Sequence, residues 1–437
     1  MEPISVRRRR DILDALRRGT VPARGLDQFA VGLGRFEPAL AAELDAAAAG
    51  GAVFKAVRGE YGAGKTFFAR WLQEYAKRRR FAAAEVQVSE AETPLHRLET
   101  VYRQAMERLA TADSPAGAFR SVLDGWFYGL EEEVLAEGGL APADPALAAR
   151  SDALLERRLA EVSRTTPQYA LALRAYRAAR RAGDEATADG LAAWLAGQPH
   201  VGAAAKRAAG LKGDVDHFAA LGFLRGLLAV LRDSGYAGLV LDEAETLQRV
   251  RGDVRERGLN ALRQLADEVD GGRFPGLYLL VTGTPAFFDG PQGVRRLEPL
   301  AQRLHVDFGP DPRFDNPRAV QLRLPGFTPD RLADVGARVR DLFAADAAAP
   351  DRVRALADDA YVADLARAVA GELGGRAGVA PRLFLRKLVG DVLDRIDQFP
   401  DFDPRRHYRL TVTDGELTKA ERAARTPATA DDIELDP

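Results

Sequence analysis

The chain of 437 residues contains no cysteine, which excludes disulfides and thiolate zinc sites. Its five histidines are scattered and give no metal-ligand spacing. No apolar run approaches the roughly 18 residues that span a bilayer, so we expect no membrane association. The four arginines at positions 7–10 are followed by "DILDALRRGT" rather than by the apolar segment of a secretion signal. A cytoplasmic location is therefore expected.

Lysine is scarce in this chain. Of the 62 basic residues seven are lysines, which leaves 55 arginines. Codon bias accounts for such a preference, and it makes each lysine that is present more informative. The net charge of −2 shows that the chain as a whole is not a polycation, although local basic faces remain possible. The length exceeds the roughly 100–200 residues of one domain, which favours two or three structural units.

A glycine-rich stretch carries the clearest motif. Its residues match G-x-x-x-x-G-K-[ST] in full: Gly59, Glu60, Tyr61, Gly62, Ala63, Gly64, Lys65 and Thr66. Before it, "AVFKAV" (52–57) predicts a short buried strand, and after it "TFFARWLQEYAKRRR" has apolar residues at helical spacing. Strand, loop and helix in this order are the context of a phosphate-binding loop. The alternative is a chance glycine-rich turn.

The residue types fit the chemistry of phosphate binding. Glycines let successive backbone N–H groups surround phosphate oxygens, and the positive end of the following helix points at the same anion. We expect Lys65 to contact the β and γ phosphates of ATP and the Thr66 hydroxyl to bind Mg²⁺. Phe67, the next residue of the helix, is assigned to the same site.

An acidic pair completes the pattern of an ATP-hydrolysing site. "YAGLVLDEAETL" predicts a strand through residues 239–241 that ends in Asp242 and Glu243. Asp242 fits the metal-side carboxylate, and Glu243 fits the residue that polarises the attacking water. The alternative is a solvated loop start. Glu245 is expected to be a surface or helix-start carboxylate.

Three further segments supply candidate residues. The strand "GLYLLVTGTPAFF" ends where ligands of parallel sheets bind, and there we favour Thr282 over Thr284 as the γ-phosphate sensor. "GVRRLEPLAQRLHVDF" offers an arginine that could reach a neighbouring subunit's nucleotide. Arg303, just before a predicted strand "LHVDF", is preferred to Arg295 and Arg296, although all three could be ordinary surface arginines.

The last candidate lies in "GVAPRLFLRKLVGDVLDRI". Pro381 is placed at the first turn of a helix. Arg382 beside it lies where a lid could bring an arginine over the phosphates. A helix-surface arginine is the alternative.

Taken together, "GEYGAGKT", "LVLDEAE", "LLVTGTP", "LAQRL" and "GVAPRLFLRKL" resemble the origin-recognition-like AAA+ branch of phosphate-loop ATPases. More narrowly, "RRGTVPARGLDQFAVGLGR" and "VRGEYGAGKTFFARWL" look like the ATP-binding proteins of BREX phage-defence systems, the BrxC/BrxD group, and most like the BrxD type. The resemblance implies an α/β fold, with an AAA+ core built on a parallel sheet, and a helical lid. It also implies that "AVGLGRFEP" packs near the adenine, where Arg35 contributes or is merely a surface arginine.

The predicted organisation departs from a minimal core. Between Lys65 and Asp242 lie helical patterns that predict a large helical insertion, a partner-binding or DNA-facing module. The expected divisions are 1–100 for the N-terminal segment and first half of the core, 101–215 for the insertion, 216–326 for the second half of the core, 327–400 for the lid and 401–437 for a C-terminal extension. The extension is too short for a winged-helix DNA module, and its acidic tail "ATADDIELDP" is expected to be disordered.

Two functional hypotheses follow. The first is an AAA+ ATPase that hydrolyses ATP with Mg²⁺ to drive assembly or remodelling of an antiviral complex, working with other defence proteins and double-stranded DNA. Its ATP sites would lie between subunits of a homo-oligomer, which a head-to-tail interface makes possible. The second is a nucleotide-switched scaffold with little turnover. The sequence leaves open the subunit number, the partner proteins, the mode of DNA contact and the choice of arginine finger.

Overall fold

The computed structural model describes residues 4–244, 250–374, 378 and 380–425, without the side chains of residues 241–244. Within the chain two compact units can be separated. The first unit consists of Met1–Pro38, Val57–Glu74 and Asp307–Pro437. The second unit consists of Ala39–Ala56 and Tyr75–Val306.

Five strands form one sheet in the order β2-β3-β4-β1-β5. Their bounds are β1 Val53–Arg58, β2 Phe81–Gln87, β3 Gly238–Ala244, β4 Leu277–Gly283 and β5 Gln321–Arg323. The pairs β2–β3 and β3–β4 are parallel. Every residue of β4 is buried, as expected for a strand of a parallel sheet covered on both faces. The fold is therefore α/β with a parallel sheet, as the sequence predicted.

Helices of the first unit come from both ends of the chain. They are α1 Val6–Arg17, α14 Pro329–Ala344, α15 Pro350–Leu356, α16 Asp359–Glu372, α17 Pro381–Arg386, α18 Asp394–Gln398, α19 Pro404–His407 and α20 Lys419–Arg425. A π-helix, Lys387–Leu393, connects α17 to α18. Pro381 lies in the first turn of α17, as predicted, where a missing N–H removes no helical hydrogen bond. One further helix, α3 Lys65–Arg78, directly follows the glycine-rich loop.

The second unit contains the long helices between β2 and β3. Its helices are α2 Glu37–Ala48, α4 Leu98–Glu107, α5 Ala118–Ala136, α6 Pro145–Thr165, α7 Pro167–Ala182, α8 Glu185–Leu195, α9 Ala203–Ala208, α10 His217–Asp233, α11 Gly252–Asp270, α12 Pro285–Asp289 and α13 Glu298–Leu304. Phe223 of α10 is the centre of their aromatic core: its ring lies 5.9 Å from that of Tyr102, 5.0 Å from Tyr169 and 5.3 Å from Trp194. These buried rings hold α4, α7, α8 and α10 together, because large aromatic side chains dominate the gain from apolar burial.

The strand predicted at "LHVDF" is wrong. Helix α13 ends at Leu304, and residues 305–309 form no strand. Phe308 instead packs between two guanidinium groups, 5.1 Å from that of Arg58 and 4.9 Å from that of Arg323. The neighbouring strand is β5, which was not predicted, and it is followed by a backbone hydrogen bond of 2.8 Å from Leu324 to Arg58. The prolines at 310 and 312 lack backbone N–H groups, which disfavours a ladder here.

Two expectations fall outside the described residues. The acidic tail, 428–437, is one of them, and Glu245 is the other. Among the residues that are described, no helix has both the length and the apolarity to cross a membrane.

Candidate functional site

The glycine-rich loop, 59–66, lies between β1 and α3 in the first unit. Gly62 has φ 85° and Gly64 has φ 88°, a left-handed conformation that a side chain disfavours. Gly59 is buried, and a Cβ there would come within 3.0 Å of the Cβ of Ala63 and 3.3 Å of that of Leu324. The glycines of the motif are therefore required by the backbone itself. They leave a cradle of peptide groups that fits a phosphate.

Lys65 opens α3 and its side chain folds back over the loop. Its ammonium donates to the carbonyl oxygens of Gly59, at 2.9 Å, and Glu60, at 3.3 Å. Thr66 is exposed in the same first turn. The first four N–H groups of an α-helix have no partner within the helix, so the start of α3 presents donors and a positive dipole end. The loop, the Lys65 ammonium and the Thr66 hydroxyl therefore lie together at the start of α3.

The N-terminal segment holds one face of α3. Glu74 is buried, and its carboxylate accepts hydrogen bonds of 2.9 Å from the backbone N–H groups of both Gly25 and Leu26. Arg70 donates to the carbonyl of Val21 at 2.8 Å. Sequence reasoning did not identify Glu74 as a supporting residue. The sequence feature that could have identified Glu74 is its position seven residues, or two helical turns, after Phe67, which places both residues on the same face of α3.

Phe67 forms an aromatic contact at the start of the helix. Its ring lies 5.3 Å from that of Phe29 in an edge-to-face arrangement. Phe327 lies near the loop as well, since a Cβ at Gly64 would come within 3.7 Å of its ring. Apolar side chains from the N-terminal segment and from the residues before α14 therefore flank the phosphate loop.

Arg35 is bound by carbonyls of its own unit. It donates to Pro312 at 2.7 Å and to Arg323 at 3.3 Å, and its guanidinium lies 4.4 Å from the centre of the Phe36 ring. Burial lowers the pKa of Arg35, and the neighbouring Arg331 and Arg323 lower it further, against the opposing charge of Asp315. The adenine role of Arg35 stays a prediction.

Arg382 lies at the start of α17 and is held by a buried carboxylate. It donates from Nε to Glu421 at 2.9 Å and from Nη2 at 2.5 Å, and Nη2 also lies 2.5 Å from the carbonyl of Glu416. The hydrogen bond with Glu421 raises the pKa of Arg382. Arg382 is also within electrostatic range of Tyr61 in the phosphate loop. Arg382 and the loop belong to the same unit.

The acidic pair lies at the end of β3 in the second unit. In the register with β4, Asp242 is opposite Leu280, Glu243 is opposite Val281 and Ala244 is opposite Thr282. The side chains of Asp242 and Glu243 are outside the described residues. Thr282 is buried, whereas Thr284 precedes α12 as its N-cap residue.

The candidate finger arginines differ in their partners. Arg303 lies 2.6 Å from the carboxylate of Asp267 and 3.4 Å from that of Asp270, both on α11. Arg295 and Arg296 are exposed in the turn before α13, and Arg295 donates to the carbonyl of Asp289 at 3.2 Å. Arg303 would have to leave two carboxylates to reach another subunit, and its role stays a prediction.

Several arginines of α6 and α7 are paired with carboxylates of neighbouring helices. Arg174 binds both oxygens of Glu156, at 2.6 and 2.7 Å. Arg158 binds Glu133 at 2.8 Å and lies 3.1 Å from Asp233. Similar pairs involve Arg177, Arg180 and Arg181. The charges of these arginines are neutralised by carboxylates of the protein itself, which weakens the expectation that they contact DNA.

Comparison with known proteins identifies a family. A family model described as "BREX system ATP-binding protein BrxC/D" matches residues 4–412. No curated protein matches the chain, and no solved structure does. The matched range includes the phosphate loop, β3, β4 and Arg382.

Proposed function

The chain belongs to the BrxC/BrxD family of BREX-system ATP-binding proteins, and on this premise we propose that it is an AAA+ ATPase of the BrxD type. It hydrolyses ATP to drive assembly or remodelling of the phage-defence complex. The observation that carries the proposal is the loop 59–66, whose left-handed glycines and helix start form a phosphate cradle. The sheet order supports it, because β1 lies between β4 and β5, the kind of switch point at which α/β sheets bind ligands.

The residues of the loop divide the work of holding ATP. Backbone N–H groups of 59–67 surround the phosphates, and Lys65 exchanges its two carbonyl acceptors for phosphate oxygens. Thr66 and Asp242 are the proposed Mg²⁺ ligands. Bound Mg²⁺ neutralises charge that develops on the phosphate oxygens. The exposed Thr66 hydroxyl beside a helix start fits this role.

Hydrolysis requires a base and a residue that orients the water. We assign the base to Glu243 and the orienting role to Thr282, which lie near the carboxyl ends of β3 and β4 respectively. Arg303 is the proposed finger of a neighbouring subunit, which places the ATP sites between subunits of a homo-oligomer. Arg382 contacts the γ-phosphate from the lid.

Turnover separates this proposal from a nucleotide-switched scaffold. Lys65→Ala should abolish ATP binding, because the loop loses its only cationic side chain. Glu243→Gln should retain ATP and reduce turnover by about a thousandfold, since the amide cannot accept the proton of water. The exposed Lys212→Ala is the matched control and should behave like wild type.

ATP affinity and ATPase rate are measured on the same preparations, with and without double-stranded DNA, together with the native mass. Wild-type protein that binds ATP but shows no hydrolysis under any of these conditions would establish the scaffold. Wild-type affinity in Lys65→Ala would end both hypotheses. A rate or a mass that changes on adding DNA would support the DNA-coupled form of the proposal.

A further inference from the structure

The residues that follow the family match bind the helix that begins at Pro381. Residues 413–425 lie beyond the matched range of 4–412. They contain a short 3₁₀ helix, Asp414–Glu416, and α20. Their two glutamates, Glu416 and Glu421, each accept hydrogen bonds from a cationic side chain of the helix that begins at Pro381. We call residues 413–425 the carboxylate brace.

Glu421 is the more buried of the two glutamates, with no exposed surface. Besides Arg382, its carboxylate accepts the backbone N–H of Thr418 at 2.7 Å. The backbone N–H of Glu421 in turn donates to the Thr418 hydroxyl at 3.3 Å. The carboxylate is therefore fixed by its own turn as well as by the arginine. Such a fixed acceptor can define the orientation of the guanidinium.

Glu416 binds the next cation along the helix. Lys387 is buried and donates to Glu416 at 2.7 Å, and its ammonium lies 3.2 Å from Asp391. Lys387 is the first residue of the π-helix, a feature that often occurs at functional sites. The Glu416 carboxylate also accepts the backbone N–H of Thr413 at 3.0 Å. The glutamates of the brace therefore accept hydrogen bonds from two side chains of the helix, Arg382 and Lys387, which are five residues apart.

Arg382 makes its hydrogen bonds through one edge of the guanidinium, the edge formed by Nε and Nη2. Nε and Nη2 face Glu421 and the carbonyl of Glu416. Nη1 lies beside Gly19, where a Cβ would come within 3.1 Å of it. A guanidinium has five N–H donors in a rigid fork, so an arginine held at Nε and Nη2 keeps the Nη1 donors for another acceptor.

Two roles for Glu421 are conceivable: it could withhold Arg382 from ATP, or it could orient Arg382 toward ATP. Withholding requires that the pair break when ATP binds. Breaking it would leave a fully buried carboxylate without its cation, which is strongly unfavourable. A pair that persists while Nη1 contacts the phosphate avoids that penalty. The burial of Glu421 therefore favours orientation.

We propose that Glu421 is a positioning residue for Arg382, so that the carboxylate brace belongs to the part of the site that distinguishes ATP from ADP. This inference rests on the proposed function, in which Arg382 contacts the γ-phosphate. Glu421 touches no phosphate itself. It acts by fixing the direction in which Arg382 presents its remaining donors.

The test compares affinities for ADP and for a non-hydrolysable ATP analogue. Glu421→Gln removes the negative charge that binds Arg382. Glu421→Asp keeps the charge but shortens the side chain by one methylene, which moves the carboxylate away from Arg382. Each should lower affinity for the ATP analogue by about tenfold, because a hydrogen bond to a charged group is lost or misdirected. Affinity for ADP should change by less than about twofold, since ADP has no γ-phosphate. Asp364→Asn removes an exposed carboxylate of α16, outside the brace, and is the control that should leave both affinities unchanged.

A double variant separates positioning from stability. Arg382→Gln with Glu421→Gln removes both charges and leaves no buried ion unpaired. Its ratio of ATP-analogue to ADP affinity should equal that of Arg382→Gln alone, because Glu421 acts through Arg382. A further loss of the ratio in the double variant would overturn the inference. So would a wild-type ratio in both Glu421→Gln and Glu421→Asp, even if their melting temperatures fall.

The Lys65→Ala variant distinguishes failure of the proposed function from failure of the positioning role of Glu421. If it binds the ATP analogue like wild type, the proposed function fails. If it loses binding while the Glu421 variants keep the wild-type ratio, the ATP site stands and the positioning role of Glu421 is wrong.

Discussion

Arg174 of α7 and Arg382 of α17 are both held by carboxylates, in different environments. Arg174 binds Glu156, whose side chain is 55% exposed. Arg382 binds Glu421, whose side chain is completely buried. In a chain with 55 arginines, ion pairing alone does not mark a functional residue. The burial of the carboxylate is the better discriminator, because only a buried carboxylate requires its cation.

Energy separates the two kinds of pair. An exposed pair contributes about 0–1 kcal/mol, because water solvates both partners once they part. Removing one partner of a buried pair costs about 3–5 kcal/mol, because the remaining charge stays in a poorly solvated place. The surface pairs of α6 and α7 can therefore separate at little cost in free energy. Separating the pair of Arg382 and Glu421 is much more unfavourable.

The largest effect is expected when Arg382 is removed. Arg382→Ala should lower the free energy of unfolding by about 3 kcal/mol, the lower end of the range because the arginine itself is partly exposed. Urea unfolding followed by circular dichroism measures the change. Arg174→Ala is the control for loss of an arginine from a helix. A loss below about 1 kcal/mol for Arg382→Ala would place both pairs in the same class and break the comparison.

The local parts of this picture could be predicted from sequence. The phosphate loop and the strand before it were identified because glycines, Lys65 and Thr66 must be contiguous to surround a phosphate. The scarcity of lysine was also informative. Lys65 begins α3, whereas Lys55 and Lys387 are buried beside carboxylates, at 2.5 Å from Glu43 and 2.7 Å from Glu416.

The partners of these residues could not be predicted. Glu421 is 39 residues from Arg382, and Glu74 is about 49 residues from the backbone groups that it binds. With 64 acidic residues in the chain, no spacing rule selects one of them. The strand expected at "LHVDF" failed for a related reason. Tertiary contacts of Phe308 with Arg58 and Arg323 outweigh its local preference for a strand.

The contribution of Glu416 to the free energy of unfolding should lie between those of the Arg382 pair and the Arg174 pair. It can be measured by lowering the pH. Burial alone would raise the pKa of Glu416, but hydrogen bonds from Lys387 and Thr413 outweigh it and hold the pKa below its ordinary value of 4.5. A carboxyl whose pKa is lower in the folded state stabilises the fold above its unfolded pKa. That contribution is lost as the pH falls through the folded pKa.

Glu416→Gln should therefore lower the free energy of unfolding by about 1 kcal/mol at pH 7. The difference from wild type should shrink as the pH falls below about 4.5, because the carboxyl is protonated first in the unfolded chain and, at a lower pH, in the folded protein. Urea unfolding of both proteins between pH 7 and pH 3.5 measures it. A difference that stays constant over this range would show that the charge of Glu416 contributes nothing to the brace.

The smallest effect is expected at the pair of Arg174 and Glu156. The hydrogen bond from Arg174 lowers the pKa of Glu156, yet more than half of the Glu156 side chain is exposed, so solvent screens the interaction. A double-mutant cycle with Arg174→Ala and Glu156→Ala should give a coupling of about 0.5 kcal/mol, and 1 M salt should remove most of it. A coupling this small would mean that the exposed pair releases its arginine readily. A coupling above about 2 kcal/mol would instead show that exposure of the carboxylate does not determine the strength of these ion pairs. The contrast between the surface of α6 and α7 and the buried Glu421 would then lose its physical basis, and the argument that Glu421 orients Arg382 would rest on geometry alone.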